Sequence, residues 1–238
     1  MVQDAPSRTH PVITLDGLAG SGKSTLARRL AAALGWTYLD SGAWYRALTW
    51  AVLARGGDPA AADACAATLS DLTLASTPDG EVLVDGHAPG EALRTPAIDA
   101  AVGLVADHPA VRAELTRRMR ALASADDTVG LVADGRDAGS NIFPDADLQV
   151  LVTVPLALRA QRRQEQYRRQ GSEIPLRDLE EAIAQRDARD LARGDAAPRL
   201  GARGRELINE HNAEEAVGVL LSWAKEHGWT PSPSHGSR

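Results

Sequence analysis

The sequence of 238 residues predicts an α/β fold in which helices flank a central parallel sheet. Short apolar runs typical of buried strands alternate along the chain with longer segments of helical periodicity. A glycine-rich loop joins the first of these strands to the first helix. One segment, 72–84, interrupts the alternation with the pattern of an antiparallel hairpin. We therefore expect an α/β core that carries a small β-containing insert.

Each element of the core has a local signal. Strands are predicted from apolar runs at 12–16, 36–39, 129–133, 148–154 and, shorter, 206–209. Helices are predicted from their 3.6-residue periodicity at 23–34, 43–53, 94–107, 109–124, 156–170, 176–193 and 212–226. Gly35 suits the end of the first helix, and Asp40 with Ser41 suits the N-cap of the second. Pro109 fits the first turn of its helix.

The insert is predicted from the change of pattern after residue 60. Strands at 72–76 and 81–84 flank a turn rich in Pro, Asp and Gly, and a third short extended piece is expected after Gly86. We interpret Cys65 as a packed helix residue rather than a nucleophile.

Composition limits the compartment and the partners. The chain is 44% hydrophobic and 24% charged, which is typical of a globular protein, and its net charge of −6 argues against sequence-independent binding of nucleic acid. Because Cys65 is the single cysteine, no intrachain disulfide can form, and a reducing compartment is expected. The sequence has no apolar run of membrane-spanning length, and residues 1–10 lack the apolar region of a secretory signal. We expect a cytoplasmic protein that binds neither nucleic acid nor a membrane.

Residues 17–24, Gly-Leu-Ala-Gly-Ser-Gly-Lys-Ser, have the P-loop pattern between a strand and a helix. Glycines let successive backbone N–H groups surround a phosphate, and the helix N-terminus adds further donors. Lys23 is one of only two lysines in the chain, and it stands where the motif requires one. The residues predicted to bind the nucleoside triphosphate are Gly17, Gly20, Ser21, Gly22, Lys23, Ser24 and Thr25.

A magnesium ion is expected with the triphosphate. The Ser24 hydroxyl is its predicted protein ligand. Asp16 and Asp134 each follow a predicted strand and are candidates for the same region, directly or through water. A strand-end aspartate equally often caps a turn, so both interpretations of these two residues stay open at this point.

Further motifs together resemble the bacterial cytidylate (CMP/dCMP) kinases, of the nucleoside monophosphate (NMP) kinase group. They occur in that family's order at 17–24, 40–46, 93–95, 109–112, 133–139, 143–146 and 186–193. The segment 40–46, Asp-Ser-Gly-Ala-Trp-Tyr-Arg, and the segment 134–137, Asp-Gly-Arg-Asp, are more specific than the P-loop alone. The resemblance implies a P-loop kinase fold with an NMP-binding insert and a helical lid, phosphorylation of CMP and dCMP, and a monomer.

The resemblance also implies roles for individual residues. ATP would be the donor, with Mg²⁺. The implied acceptor site consists of Asp40, Ser41, Tyr45, Arg46, Arg94, Gly103, Arg112, Arg136 and Asp137. Lys23 would act in phosphoryl transfer together with the lid residues Arg186, Asp190 and Arg193. Arginine suits these positions because its planar fork matches the oxygens of a phosphate.

Taken without the resemblance, two of these groups have plainer explanations. Tyr45 and Arg46 fit a helix that buries the ring and solvates the guanidinium, and 186–193 fits a solvated helix rich in ion pairs. The arginine-rich run 159–169 carries no motif, and we interpret it as a solvated helix face, with nucleic-acid binding as the minor alternative.

The chain departs from the family's pattern at several positions, two of which lie in the half of the site that would select the base. Gly103 stands where the family has a serine that contacts cytosine, and Met119 where it usually has a glutamine. Leu191 replaces an arginine in the lid, Leu18 replaces a proline in the P-loop, and Asn209 lies near the usual aspartate of the last strand. Loss of one hydrogen bond to the base costs on the order of 1 kcal/mol, enough to admit another base.

The predicted division is a flexible arm (1–10), core (11–59), NMP-binding insert (60–124), core (125–175), lid (176–204), core (205–227) and flexible tail (228–238). Two alternatives to a CMP/dCMP kinase stay open. One is a kinase for another or modified pyrimidine nucleotide or a small metabolite. The other is a non-catalytic nucleotide-binding regulator, which needs a P-loop but no arginine lid.

Overall fold

The structure is a computed structural model. It describes residues 9–126, 128–169, 171–192, 194, 197–201, 204–210 and 212–232. The described chain forms two compact units, which we name by their contents. The P-loop unit comprises residues 12–35 and 132–232, and the hairpin unit comprises residues 9–11 and 36–131. The predicted arm and tail fall mainly on 1–8 and 233–238, outside the described residues, and the predicted seven-part division stays a prediction.

The predicted parallel sheet is confirmed. Its strands run in the order β2-β5-β1-β6-β7. Their bounds are β1 Val12–Asp16, β2 Thr37–Asp40, β5 Leu131–Gly135, β6 Leu148–Thr153 and β7 Arg205–Ile208. Every residue of β1 and of β5 is buried, as the continuous apolar runs predict for strands covered on both faces.

Register within the P-loop unit is set by two parallel pairings. β1 pairs with β6 from Ile13 opposite Leu148, and β6 pairs with β7 from Val150 opposite Arg205. The helices of this unit are α1 Lys23–Leu34, α6 Leu156–Arg169, α7 Leu176–Leu191 and α8 Ala213–Glu226. The carboxyl ends of parallel strands are where open α/β sheets place ligands, and the P-loop and residues 136–137 follow two such ends.

The hairpin unit contains a second, smaller sheet. Strands β3 (Leu74–Ser76) and β4 (Val82–Val84) pair antiparallel. Its helices are α2 Ser41–Ala54, α3 Ala62–Ser70, α4 Pro96–Ala106 and α5 Pro109–Leu122. Trp44 is buried in α2, and its indole N–H donates to the Ser76 hydroxyl at 2.8 Å, which ties α2 to the hairpin.

Local caps form as the residue types predict. The Asp40 carboxylate accepts a hydrogen bond from the Ala43 amide at 2.9 Å and so caps α2. Gly35 ends α1 with a φ of 69°, a conformation that glycine adopts without strain. The hairpin turn needs Gly80 for two reasons, because its φ is 86° and a Cβ there would overlap the ring of Tyr38.

Four elements differ from the sequence-based expectation. The third extended piece after Gly86 is only an isolated bridge between Val84 and His87. The helix expected from residue 94 begins at Pro96, behind a 3-10 turn at Gly90–Arg94, because Thr95 is its N-cap. Helix α3, which buries Cys65 as expected, and a π-helical turn at Ala138–Ile142 were not predicted as elements.

Candidate active site

The P-loop backbone uses its glycines for conformation and for space. Gly20 and Gly22 have φ values of 77° and 82°, which side chains with a Cβ rarely adopt. Gly17 is needed for a different reason, because a Cβ at that position would overlap the carbonyl oxygen of Val152 on β6. The loop therefore passes close to the sheet and turns sharply into α1.

The N-terminus of α1 forms the end of this loop. Gly22 is the N-cap residue, and no described side chain caps the helix there. The first helical N–H groups carry the positive end of the helix dipole, which favours an anion. Lys23 opens the helix, is only 8% exposed, and its ammonium group donates to the Leu18 carbonyl at 3.5 Å. The predicted phosphate-binding residues thus follow one another through the loop and the first turn of α1, where Thr25 is exposed.

The carbonyl side of the loop is fixed by two buried polar side chains. Arg159 at the start of α6 donates to the Ala19 carbonyl at 3.2 Å. Asn209, which follows β7, donates from its amide group to the Ser21 carbonyl at 2.8 Å. Among the described residues the Asn209 Oδ1 and Ser21 Oγ atoms are buried without hydrogen-bond partners.

Ser24, the predicted magnesium ligand, and Asp134, a candidate for the same region, lie in contact. The Ser24 hydroxyl donates to the Asp134 carboxylate at 2.7 Å. Mg²⁺ binds oxygen ligands and usually keeps one or two protein ligands beside waters and substrate phosphates. A hydroxyl and a carboxylate side by side at the P-loop fit that requirement. The described residues contain no group of three or more His, Cys, Asp or Glu side chains that would hold a metal by itself.

Asp16, at the end of β1, holds the loop after β5. Its two carboxylate oxygens accept hydrogen bonds from the amides of Ala138 and Gly139, at 2.8 and 2.7 Å. The side chain is 3% exposed, and burial raises the pKa of this carboxyl to about 6, against the lowering effect of the two amide bonds. Asp16 therefore caps a turn, and its place in the magnesium region stays a prediction.

Arg136 and Asp137 follow the end of β5, as predicted. The Arg136 guanidinium pairs with the Asp190 carboxylate of α7 at 2.8 Å, so Asp190 orients an arginine. Asp137 is buried and accepts a hydrogen bond from the Asn141 amide at 3.0 Å. The structure thus brings one predicted lid residue to one predicted acceptor residue.

The side chains of the other two predicted lid residues lie outside the described part of the structure. Arg186 lies within α7, and its side chain is outside the described part of the structure, as is the whole of Arg193. Leu191 ends α7 and is exposed, so it provides none of the charge that an arginine there would have. The role of Arg186 and Arg193 stays a prediction.

The interpretation of 159–169 as a solvated face is wrong at its first residue. Arg159 is 6% exposed and donates to the carbonyls of Val154 and Ala19. Its two terminal nitrogens also bind the carboxylate of Asp187 at 3.0 and 2.6 Å. Burial follows from position, because the first turn of α6 lies against the P-loop and α7, whereas Arg168 and Arg169 at the far end are exposed.

In the hairpin unit the helix α2 carries four predicted acceptor residues from its N-cap onward. Asp40 is the cap, and Ser41 and Tyr45 are buried. Arg46 is half-buried, donating to the Leu93 carbonyl at 3.2 Å and pairing with Asp99 at 2.7 Å. These two contacts hold the Arg46 guanidinium in place. The alternative expectation, a helix that exposes this arginine to solvent, does not describe it.

The remaining predicted acceptor residues lie on other elements of the hairpin unit. Arg94 ends the 3-10 turn and is exposed, and Gly103 lies in α4. Arg112 on α5 donates to the Ala106 carbonyl at 3.4 Å. Met119 is fully buried on α5, so it packs in the core of this unit. Its thioether adds packing there and no hydrogen-bond donor for a base.

Sequence reasoning did not predict the contacts of four residues, namely Arg159, Asp187 and Asn209 in the P-loop unit and Asp99 in the hairpin unit. Each makes its contact with residues far along the chain, from 28 positions for Arg159 with Asp187 to 188 for Asn209 with Ser21. The available signal for Arg159 was its position in the first turn of a helix that follows a core strand. No local pattern distinguishes the others.

The family model for cytidylate kinase matches residues 13–210 of the chain. A bifunctional pantoate ligase/cytidylate kinase of Synechococcus sp. (strain CC9311) is 43% identical over 206 residues, which are 84% of this chain and 41% of that protein. A protein of the same description from Parasynechococcus marenigrum (strain WH8102) is 42% identical over 214 residues, 87% of this chain and 42% of that one. The chain spans less than half the length of these curated relatives.

Among solved structures, a shikimate kinase from Bacteroides thetaiotaomicron covers 90% of this chain and 98% of its own, with 16% identity and a TM-score of 0.44. In the part of the chain that the structure describes, no helix combines the length and apolar character needed to span a membrane.

Proposed function

The chain belongs to the cytidylate kinase family, and we propose that it transfers the γ-phosphoryl group of ATP to CMP or dCMP, giving ADP and the nucleoside diphosphate. The observation that carries the proposal is the P-loop with Lys23 at the start of α1 and Ser24 beside Asp134. A triphosphate needs both a cationic cradle and an oxygen pair for its metal, and the P-loop unit contains both.

On the donor side, Lys23 and the N–H groups of the loop bind the β- and γ-phosphates. Ser24 and Asp134 hold Mg²⁺, which when bound offsets the negative charge on the phosphates. Phosphoryl transfer has a loose transition state, so positioning and charge stabilisation supply most of the rate enhancement. Groups that are fixed before the donor arrives suit this task because they need no reorganisation.

On the acceptor side, arginine forks bind the monophosphate. The arginines of this proposal are Arg46, Arg94 and Arg136. Asp40, Ser41 and Tyr45 complete the sugar and phosphate contacts, and Arg112 and Asp137 bind the base. A monophosphate carries about −1.5 to −2 charge at pH 7, so its oxygen is already a nucleophile and the reaction needs no general base.

The lid supplies the remaining positive charge. In this proposal Arg186 and Arg193 clamp the transferring group, and Asp190 orients Arg136, with which it pairs at 2.8 Å. Exclusion of water by the lid would favour transfer to CMP over hydrolysis of ATP. We further propose that the enzyme works in the cytoplasm as a monomer and uses ATP as its donor.

The direct test measures acceptor-dependent ADP release in the presence of ATP and Mg²⁺. The acceptors are CMP, dCMP, UMP and AMP, each compared with a reaction that contains no acceptor. Strong turnover with CMP and dCMP is expected. If ADP release is stimulated only by another acceptor, that acceptor takes the place of CMP in the proposal. Nucleotide binding without stimulation of ADP release by any acceptor would refute a kinase role.

A further inference from the structure

Arg159 connects the P-loop to helix α7 through a single buried guanidinium. Its Nη1 donates to the Ala19 carbonyl of the P-loop at 3.2 Å, and its Nε donates to the Val154 carbonyl at 3.1 Å. The Asp187 carboxylate of α7 receives both terminal nitrogens, at 3.0 and 2.6 Å. We call these four residues the Arg159 cluster.

The bidentate ion pair fixes the orientation of the Arg159 side chain. Arg159 and Asp187 are 6% and 9% exposed, so each charge depends on the other for stabilisation. Two parallel N–H···O bonds hold the guanidinium plane in one orientation. The remaining hydrogen on Nη1 is then directed at the Ala19 carbonyl, which ties the geometry of the loop to the carboxylate of α7.

The bond to Ala19 also determines where a backbone donor points. In a trans peptide the carbonyl of one residue and the N–H of the next point in opposite directions. Arg159 holds the Ala19 carbonyl on one side of the loop, so the N–H of Gly20 is directed to the other side. Asn209 acts in the same way on the peptide between Ser21 and Gly22. It holds the Ser21 carbonyl at 2.8 Å and so orients the N–H of Gly22.

We propose that Arg159 and Asp187 are positioning residues for the donor nucleotide, which set the Gly20 N–H toward the phosphates before ATP binds. The inference rests on the proposed function in one respect, namely that the P-loop binds ATP. Neither residue touches the nucleotide in this account. Because Asp187 neutralises Arg159, the guanidinium acts through the loop backbone and not as a further phosphate ligand.

Asp187→Asn is the informative variant because it keeps the shape of the side chain and removes the charge that orients Arg159. Asp178→Asn is the matched control, since Asp178 lies on the same helix and is exposed. The first readout is the dissociation constant for ATP with Mg²⁺ and no acceptor, so that it does not depend on the identity of the acceptor. Asp187→Asn should raise it about tenfold, the scale of one charge-assisted hydrogen bond, and Asp178→Asn should leave it unchanged.

Two further readouts separate positioning from simple loss of stability. The KM for CMP should stay within about twofold of wild type while the KM for ATP rises about tenfold, since the acceptor does not use the Gly20 N–H. In ¹⁵N-glycine-labelled protein without ligand, the Gly20 amide resonance should move in Asp187→Asn and not in Asp178→Asn. A lower melting temperature with unchanged ATP affinity would overturn the inference.

Arg159→Lys decides the question if Asp187→Asn does not fold. Lysine keeps the charge opposite Asp187 and loses the fork, so it cannot bind the carboxylate in two places and the Ala19 carbonyl as well. ATP affinity equal to wild type in this variant would also overturn the inference. If the wild type binds ATP but does not phosphorylate CMP, the proposed acceptor fails, and the ATP affinities still test the Arg159 cluster.

Discussion

The surroundings of the P-loop and those of the predicted base-selecting residues are built differently. Around the P-loop, buried side chains from α6 and from the segment after β7 hold carbonyl oxygens of the loop, at 3.2 Å from Arg159 and 2.8 Å from Asn209. In the hairpin unit, Gly103, which we predicted to stand in the place of a cytosine-binding serine, has no side chain to offer a base, and Met119 is buried in the core.

This difference indicates which half of the proposed chemistry is fixed by the fold. Catalysis of phosphoryl transfer depends on donor groups that are already in position when the substrates bind. The P-loop unit contains such groups, and Arg159 and Asn209 hold the loop that carries them. Discrimination between bases depends on a few hydrogen bonds, each worth about 1 kcal/mol. We therefore expect the donor half to be sensitive to single substitutions and the base-selecting half to be open to improvement.

The largest expected effect comes from removing the P-loop lysine. Lys23→Ala should lower kcat by at least about 10²-fold, as for loss of one preorganised donor to a transition-state oxyanion. The chain offers a matched control, because Lys225 is its only other lysine and is exposed near the end of α8. Lys225→Ala should retain wild-type rates. Steady-state kinetics measures both, and near-normal turnover of Lys23→Ala would remove the P-loop from the mechanism.

The buried carboxyl of Asp16 should make stability depend on pH. Its pKa is about 6 in the folded protein, raised by burial from the ordinary value of 3.8. A carboxyl whose pKa is raised on folding contributes stability below pH 3.8, and that contribution is lost as the pH rises through 6. The shift corresponds to about 3 kcal/mol, at 1.36 kcal/mol per pKa unit.

Asp16→Asn isolates this contribution because asparagine does not titrate. Denaturant unfolding at several pH values should show the wild-type free energy of unfolding falling, relative to the variant, between about pH 4 and 7. Asparagine has one oxygen in place of two, so the variant loses one of the hydrogen bonds from the Ala138 and Gly139 amides. This loss changes the free energy of unfolding by a constant amount that does not depend on pH. A difference that stays constant over this range would show that Asp16 is not a strained buried carboxylate.

A smaller effect is expected at the proposed magnesium pair. Asp134→Asn keeps a hydrogen-bond acceptor for the Ser24 hydroxyl and removes the negative charge, so the Mg²⁺ concentration for half-maximal rate should rise about 10- to 100-fold. The rate at saturating Mg²⁺ should recover in part. Unchanged Mg²⁺ dependence in a titration of initial rates would exclude Asp134 from the metal region.

The smallest effect concerns the base. Gly103→Ser should raise kcat/KM for CMP relative to UMP several-fold, about the value of one hydrogen bond. Serine is also a better helix former than glycine, so a control for helix stabilisation is needed. Gly218→Ser provides it, since Gly218 lies in α8 with open space around its Cβ position. Equal CMP-to-UMP ratios in wild type and Gly103→Ser would show that the alignment at this position does not identify a base contact.

The sequence predicted the elements whose signals are local. β1 and α1 have the predicted bounds, 12–16 and 23–34, because an apolar run, a glycine loop and a terminal glycine define them without help from the rest of the chain. The antiparallel hairpin was also predicted correctly, because its two short strands and the turn between them have local signals. Helix α3 was not predicted because its nine residues bury only Cys65, Thr68 and Leu69, too few for a clear periodicity.

The supporting contacts of the P-loop could not be predicted because they depend on packing between distant segments. An arginine on a helix is usually solvated, and only the contact of α6 with the P-loop and α7 buries Arg159. Asp190 was predicted as a lid residue, but its pairing with Arg136, 54 positions away along the chain, has no local sequence signal.

The most direct test of the central claim is to identify the products formed from ATP, CMP and Mg²⁺. The enzyme is incubated with γ-labelled ATP and unlabelled CMP, and the nucleotides are separated. The account predicts label in CDP in amounts equal to the ADP formed, with almost none in inorganic phosphate, and at least about 10²-fold less labelled CDP in the same time with Lys23→Ala. ADP that accumulates with labelled inorganic phosphate and no labelled CDP would contradict the account.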